Sequence, residues 1–255
     1  TFSATDLSGN IGQAQATVTI TDQTPPVITL TGAGSITLNV GDVFSDPGSS
    51  VSDNVDTGLI ATISGSVNTS LVGLYTLTYN VSDGAGNAAA AVTRSVSVQD
   101  SAAPIVTPPG NIIVAATNAS GTAATQAAIA TFLAAASASD AVDGTRPVTH
   151  NAPATFPLGL TTVTFSATDL SGNTGQAQAT VTITDQTPPV ITLVGNASIT
   201  LNIGDTFIDP GSTVSDNVDT GLSASVSGGP VNTTAVGVYT LTYNVSDLAG
   251  NAATA

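Results

Sequence analysis

The chain has 255 residues and a formal net charge of −15, with seventeen acidic residues, all aspartate, against two arginines. That balance argues against nucleic acid or anionic membrane as a partner, because both need a basic face. The absence of Cys rules out disulfides, and the absence of Lys rules out Lys–Asn isopeptide crosslinks. With charged residues at only 7%, hydroxyls carry much of the surface solvation, an extracellular type of composition. No run reaches the ~18 apolar residues of a membrane span.

The opening stretch TFSATDLSGN returns unchanged at 164–173, and residues 1–23 match 164–186 with Ile11 against Thr174 as the only difference. Residues 24–58 return as 187–221, and the match runs on to Ala255, opposite Ala91. Such fixed-period self-similarity marks a tandem array. The sequence starts inside one module and stops inside another, so a window from a longer array is expected. A tail that donates its strand to a neighbour is the alternative arrangement.

Polar linkers with Asp and Pro at 21–26, 99–104 and 184–189 divide the chain into a tail (1–23), modules 24–100 and 101–185, and a module 186–255 that lacks its last strand. The complete modules have the size of an Ig-like sandwich of about seven short strands. In module 24–100, LYTLTYNVSD (74–83) alternates Tyr75, Leu77, Tyr79 and Val81 with polar residues, the period of a half-buried strand. Tyr75 sits where a tyrosine corner would lie. In module 101–185, the Ala-rich stretch 123–139 has the composition of a helix. The register of the module instead calls for a strand over 129–139, which is the reading taken. TTVTFSATD (161–169) alternates again, with Val163, Phe165 and Ala167 inward.

Module 101–185, with APIVTPPGNIIV, SDAVDG, TFPLGLTTVTFSATDLSGN and ATVTITD, resembles a hyalin repeat (HYR) domain. Module 24–100, with TPPVITLTGAGSITLNVGD, DPGSSVSDNVDTG, GLYTLTYNVSDGAGN and RSVSV, resembles a bacterial Ig-like surface repeat, a type first catalogued in an insecticidal crystal protein. Both resemblances imply an all-β chain of tandem Ig-like β-sandwich modules arranged as an elongated rod, in extracellular adhesion or structural arrays. Neither family implies catalysis. Where hyalin repeats often carry cysteines, this chain has residues such as His150 and Phe165.

In an Ig-like sandwich the B–C and F–G loops share the pole at which the chain enters. That would group Asp22 with Asp53, Asp56, Asp83 and Asn87; Asp100 with Asp140, Asp143, Asp169 and Asn173; and Asp185 with Asp216, Asp219, Asp247 and Asn251. Converging carboxylates repel, by about 4 kcal/mol per pair at ~4 Å and an effective dielectric of 20. Hard oxygen donors without Cys or His nearby describe a calcium site, which would cross-link modules much as cadherin-type linkers do. Asp and Asn before Gly are also ordinary turn formers, and for any single loop that reading suffices. Asp42, Asp46, Asp205 and Asp209 read as turn or bulge residues.

His150, the only histidine, has no partner motif and takes no role. Six Asn-x-Ser/Thr sequons begin at Asn68, Asn80, Asn118, Asn196, Asn232 and Asn244, and would permit glycans in a host that makes them. The function expected is a non-catalytic adhesin stalk or filament shaft whose partners are neighbouring modules and identical subunits in a fibre. Carbohydrate-binding accessory modules of a secreted enzyme are the alternative, set back by only four Tyr and six Phe for a stacking platform. An enzyme would need aspartate pairs in a cleft, and the repeats offer junction clusters instead.

Overall fold

The computed structural model describes residues 1–253 and divides into two compact units, Thr1–Ser101 and Ala102–Ala255. The first unit opens with an antiparallel hairpin, β1 (Phe2–Thr5) and β2 (Ile11–Ala14), every residue of which is exposed. A sandwich follows. One sheet pairs β3 (Val27–Leu30) with β5 (Ser49–Ser52). The other has the order β4 (Ser35–Asn39), β8 (Val92–Gln99), β7 (Gly73–Asn80), β6 (Thr62–Ser64). β7 and β8 pair antiparallel from Gly73↔Val98 to Tyr79↔Val92, and β4 runs parallel to β8 from Ser35↔Ser95 to Asn39↔Gln99.

Alternation along β7 and β8 turns Leu77, Tyr79, Val96 and Val98 inward, all 4% exposed or less. Ile28, Leu30, Phe44 and Val51 pack against Leu77 and Tyr79. Tyr75 donates to the Leu71 carbonyl at 2.9 Å, the bond of a tyrosine corner. Gly65, at φ +96°, lies where a Cβ would overlap the Thr76 carbonyl, so this bend admits no side chain.

In the second unit, β9 (Ile105–Thr107), β10 (Ile112–Ala115) and β11 (Thr122–Ala123) lead into a helix, α1 (Ala127–Ala134). Seven strands follow: β12 (Ser137–Asp140), β13 (Gly144–Thr145), β14 (Thr149–His150), β15 (Thr155–Phe156), β16 (Gly159–Thr168), β17 (Thr174–Thr184) and β18 (Val190–Leu193). The chain continues through β19 (Ser212–Ser215), β20 (Ser225–Ser227) and β21 (Thr242–Asn244). The main sheet has the order β10-β17-β16-β14, facing β13-β12-β9. As in the first unit, the sheet contains one parallel pair, β10 with β17. The core holds Phe156, Val163, Phe165, Val181 and Ile183, none more than 1% exposed.

The helix α1 corrects the strand expected over 129–139; a strand begins only at Ser137. The Gln126 side chain caps the helix by accepting from the N–H groups of Ala128 (2.8 Å) and Ile129 (3.2 Å). Ile129 and Phe132, three residues apart on one helical face, then reach the core, and Phe132 meets Phe165 edge to face at 5.8 Å. Local alanine propensity with one buried stripe outweighs the module's register. His150 lies opposite Phe165 on the neighbouring strand, with ring centroids 6.1 Å apart. That pair meets edge to face at the positions where hyalin repeats often carry cysteines.

Candidate metal centres at the acidic loops

Each acidic loop is built by aspartates that bind nearby main-chain N–H groups. Asp53 accepts through Oδ2 from the N–H groups of Val55 and Asp56, at 2.8 and 2.9 Å. Asp56 in turn accepts the Gly84 N–H at 2.6 Å, tying the 53–56 loop to the 83–87 loop. In that second loop, Asp83 accepts the Asn87 N–H at 2.7 Å and its side-chain amide at 2.6 Å. The same amide donates to the Asp22 carbonyl at 3.3 Å, and Asp22 Oδ1 accepts the Thr24 N–H at 3.0 Å. Oxygens of Asp22, Asp53 and Asp83 thereby come within 4.8 Å of one another.

The second unit repeats this scaffold. Asp216 accepts from Val218 and Asp219, Asp219 from Leu248, Asp247 from Asn251, and Asn251 donates to the Asp185 carbonyl. Here the close trio is Asp185, Asp216 and Asp219. The 216–219 loop also grips the preceding module: Asn217 donates to the Ala116 carbonyl at 2.9 Å, and Val218 packs against that module's core. Asp140, Asp143, Asp169 and Asn173 use the same bonds, and ligand oxygens of Asp140 and Asp169 lie within 4.8 Å of each other. Asp100 follows β8 near the end of the first unit.

In both trios the linker aspartate and the first aspartate of the following loop spend one oxygen on a turn and leave the other over, whereas Asp83 spends both of its oxygens on Asn87. Asp22 Oδ2, Asp53 Oδ1, Asp185 Oδ2 and Asp216 Oδ1 are closed to solvent and have no hydrogen-bond partner, as is Asp140 Oδ2. Asp83, Asp140, Asp169 and Asp247 are buried. At 4.8 Å and an effective dielectric of 20, two full charges repel by about 3.5 kcal/mol. Neither arginine answers the two trios: Arg146 donates to the Thr168 carbonyl, and Arg94 is bound elsewhere.

Burial pushes the carboxyls of Asp83, Asp169 and Asp247 up, but the side-chain amide and N–H of Asn87, Asn173 and Asn251 outweigh it, so all three sit below the usual carboxylate range. Asp83, Asp169 and Asp247 therefore stay charged at neutral pH. The donor set is oxygen only, and a calcium ion with Ca–O bonds of ~2.3–2.6 Å has opposing ligands about 5 Å apart, a span that fits the trios.

Sequence reasoning missed two features. Asp6 and Asn10 form the same loop in the tail, and the Asn10 side chain and N–H hold the Asp6 carboxyl low; the repeat of TDLSGN was the available signal. Asp46 is more than a turn residue. It accepts the Tyr79 hydroxyl at 2.6 Å and lies 3.3 Å from Nε of the wholly buried Arg94. Arg94 also donates to the carbonyls of Thr31 (2.8 Å) and Gly48 (2.9 Å). Asp42, by contrast, caps its own turn through the Asn39 N–H.

Comparison with known proteins matches residues 28–98 and 191–255 to the family described as "Bacterial surface protein, Ig-like domain", and residues 99–183 to the HYR domain. The chain is 32% identical over its full length to hyalin of Lytechinus variegatus and 31% identical to hyalin of Strongylocentrotus purpuratus. It spans 50% of the first relative's length and 22% of the second's. A solved cis-dimer structure of protocadherin gammaB7 EC3-6 overlays with 17% identity and a TM-score of 0.32, covering 79% of this chain and 64% of that one, too loosely to bear on the argument. Two Ig-like matches covering more than half of the chain, with an HYR match between them, place it: the protein belongs to the bacterial surface Ig-like family and carries an HYR domain in tandem with its Ig-like domains.

Proposed function

We propose that the chain is part of an extracellular structural or adhesive array whose modules are stiffened by calcium at their acidic junctions, and that it performs no catalysis. The family assignment supports the surface setting. The calcium reading rests on one observation above others: in both trios a carboxylate oxygen from the linker and one from the 53–56 or 216–219 loop are shut away from water without a donor. A divalent cation there would offset the mutual repulsion and bind linker to loop. Asp22, Asp53 and Asp83 would hold one ion, and Asp185, Asp216 and Asp219 another. Asp56, Asp247, Asn87 and Asn251 position the loops, and Asp100, Asp140, Asp143, Asp169 and Asn173 form the third set of the same pattern. Identical subunits in a fibre are the natural partners of such an array. The six sequon asparagines are all exposed and open to glycans where the host supplies them.

The test is thermal unfolding of the full chain in calcium, in magnesium and in chelator. Calcium should raise the melting temperature well beyond magnesium, and Asp53→Ala with Asp216→Ala should remove the gain. Identical curves in all three buffers would return these aspartates to turn chemistry.

A further inference from the structure

The loop 216–219 reads Asp-Asn-Val-Asp, and its outer and inner residues serve different neighbours. Asp216 and Asp219 bring carboxylate oxygens within 4.8 Å of each other and of the linker residue Asp185. Asn217 and Val218, between them, reach the HYR module. The Asn217 amide donates to the Ala116 carbonyl at 2.9 Å, and Val218 packs against the cluster that holds Phe156, Val163 and Phe165. Asn217 Oδ1 is closed to solvent without a hydrogen-bond partner, so this side chain is seated between modules and not solvated at a loop tip.

These links almost close a ring. Ala116, 4% exposed, donates its N–H to the Thr184 carbonyl at 2.8 Å, while its own carbonyl takes Asn217. Thr184 is the last residue of β17, and Asp185 follows it directly. On the other side Asp216 adjoins Asn217 and holds the loop in shape by accepting from the N–H groups of Val218 and Asp219, at 2.8 and 2.9 Å. From Asp185 through Thr184, Ala116 and Asn217 to Asp216, each step is a covalent or a hydrogen bond. The remaining step, from Asp216 back to Asp185, joins two carboxylates. Asp185 Oδ2 and Asp216 Oδ1 have no donor, so repulsion opens the ring there unless a cation closes it. The inner residues differ along the chain. Both Ig-like modules read DNVD, at 53–56 and 216–219, whereas the HYR loop reads DAVD at 140–143, with Ala141 in place of the amide donor.

We propose that Asn217 and Val218 form a cation-gated latch between the HYR module and the Ig-like module that follows it. The latch rests on the calcium reading of Asp185, Asp216 and Asp219: the cation fixes the loop, the loop holds Asn217 on Ala116, and the end of β10 is clamped to β17. By linkage, the seated latch raises cation affinity by the same factor as the cation tightens the latch.

The experiment uses the full chain and two readouts, titration calorimetry for calcium binding and backbone hydrogen exchange over 112–117. Calcium should slow exchange over 112–117 by about fivefold or more. Asn217→Ala and Val218→Ala leave every aspartate in place. Each variant should still bind calcium, more weakly at one site, but lose most of that slowing, while Asn54→Ala should match the unaltered chain at 112–117. Calcium binding with unchanged exchange over 112–117, or slowing that survives both substitutions, overturns the latch and leaves the calcium reading standing. No calcium binding overturns both.

Discussion

Replacing Arg94 by Met isolates the buried polar network of the first sandwich. Methionine keeps most of the apolar stem but none of the donors. The Thr31 carbonyl then loses its guanidinium donor, whereas the Gly48 carbonyl keeps the Thr31 N–H, and an unsatisfied buried acceptor costs about 1–3 kcal/mol. Asp46 loses its ion pair as well, but with 18% of its side chain exposed it recovers part of that through water. The net expectation is a loss of about 3 kcal/mol, at the lower end of the cost of breaking a buried pair. For a module of this size that is roughly 12–24 °C in Tm. Tyrosine fluorescence during guanidinium unfolding suits the measurement, since Tyr75, Tyr79, Tyr239 and Tyr243 all lie outside 101–185 and leave the middle module silent. Arg146→Met is the control, because that side chain gives one hydrogen bond to Thr168 and should cost no more than about 1 kcal/mol. If Arg94→Met costs no more than the control, methionine packs as well as the network bonds, and the reasoning fails.

Acid should destabilise the loops in a defined direction. Asp83, Asp169 and Asp247 are held low in the folded state, so their stabilisation is present above the unfolded value of about 4 and is lost as pH falls through the folded values. Asn87→Ala with Asn251→Ala should flatten that acid limb in a pH series of unfolding curves. At the alkaline end, burial and the Asp46 hydrogen bond raise the Tyr79 hydroxyl, so its contribution holds below about pH 10 and disappears above it; Tyr79→Phe should remove this step. Gly175→Ala places a Cβ against the Pro104 carbonyl and should lower the Tm of the middle module measured by calorimetry. Phe132→Ala should cost that module about 3–5 kcal/mol, whereas Gln126→Ala should cost about 1 kcal/mol through loss of the cap.

Period-2 alternation in 74–83 and 161–169 was readable because each strand has one face in the core and one in water. The grouping of Asp22 with Asp53 and Asp83 was readable for a different reason: in this topology, chain entry fixes which loops meet. The helix at 127–134 was not, because alanine is at home in either reading and only the burial of Ile129 and Phe132 decides between them. The ion pair of Asp46 with Arg94 was hidden by 48 residues of separation, and DPG by itself announces only a turn. Nor could spacing distinguish which acids form the close trio. In the second unit Asp219 enters it where Asp83 of the first unit would suggest Asp247.

The parallel pairing of β4 with β8, and of β10 with β17, has a mechanical consequence. When the first and last long strands of a module run side by side in the same direction, tension applied through the two chain ends slides them lengthwise. The five residue pairs from Ser35↔Ser95 to Asn39↔Gln99, and the four from Ile112↔Val181 to Ala115↔Thr184, are then loaded together instead of peeling apart singly. The resistance of each module to extension thus depends on the direction of its strands as well as on the size of its core.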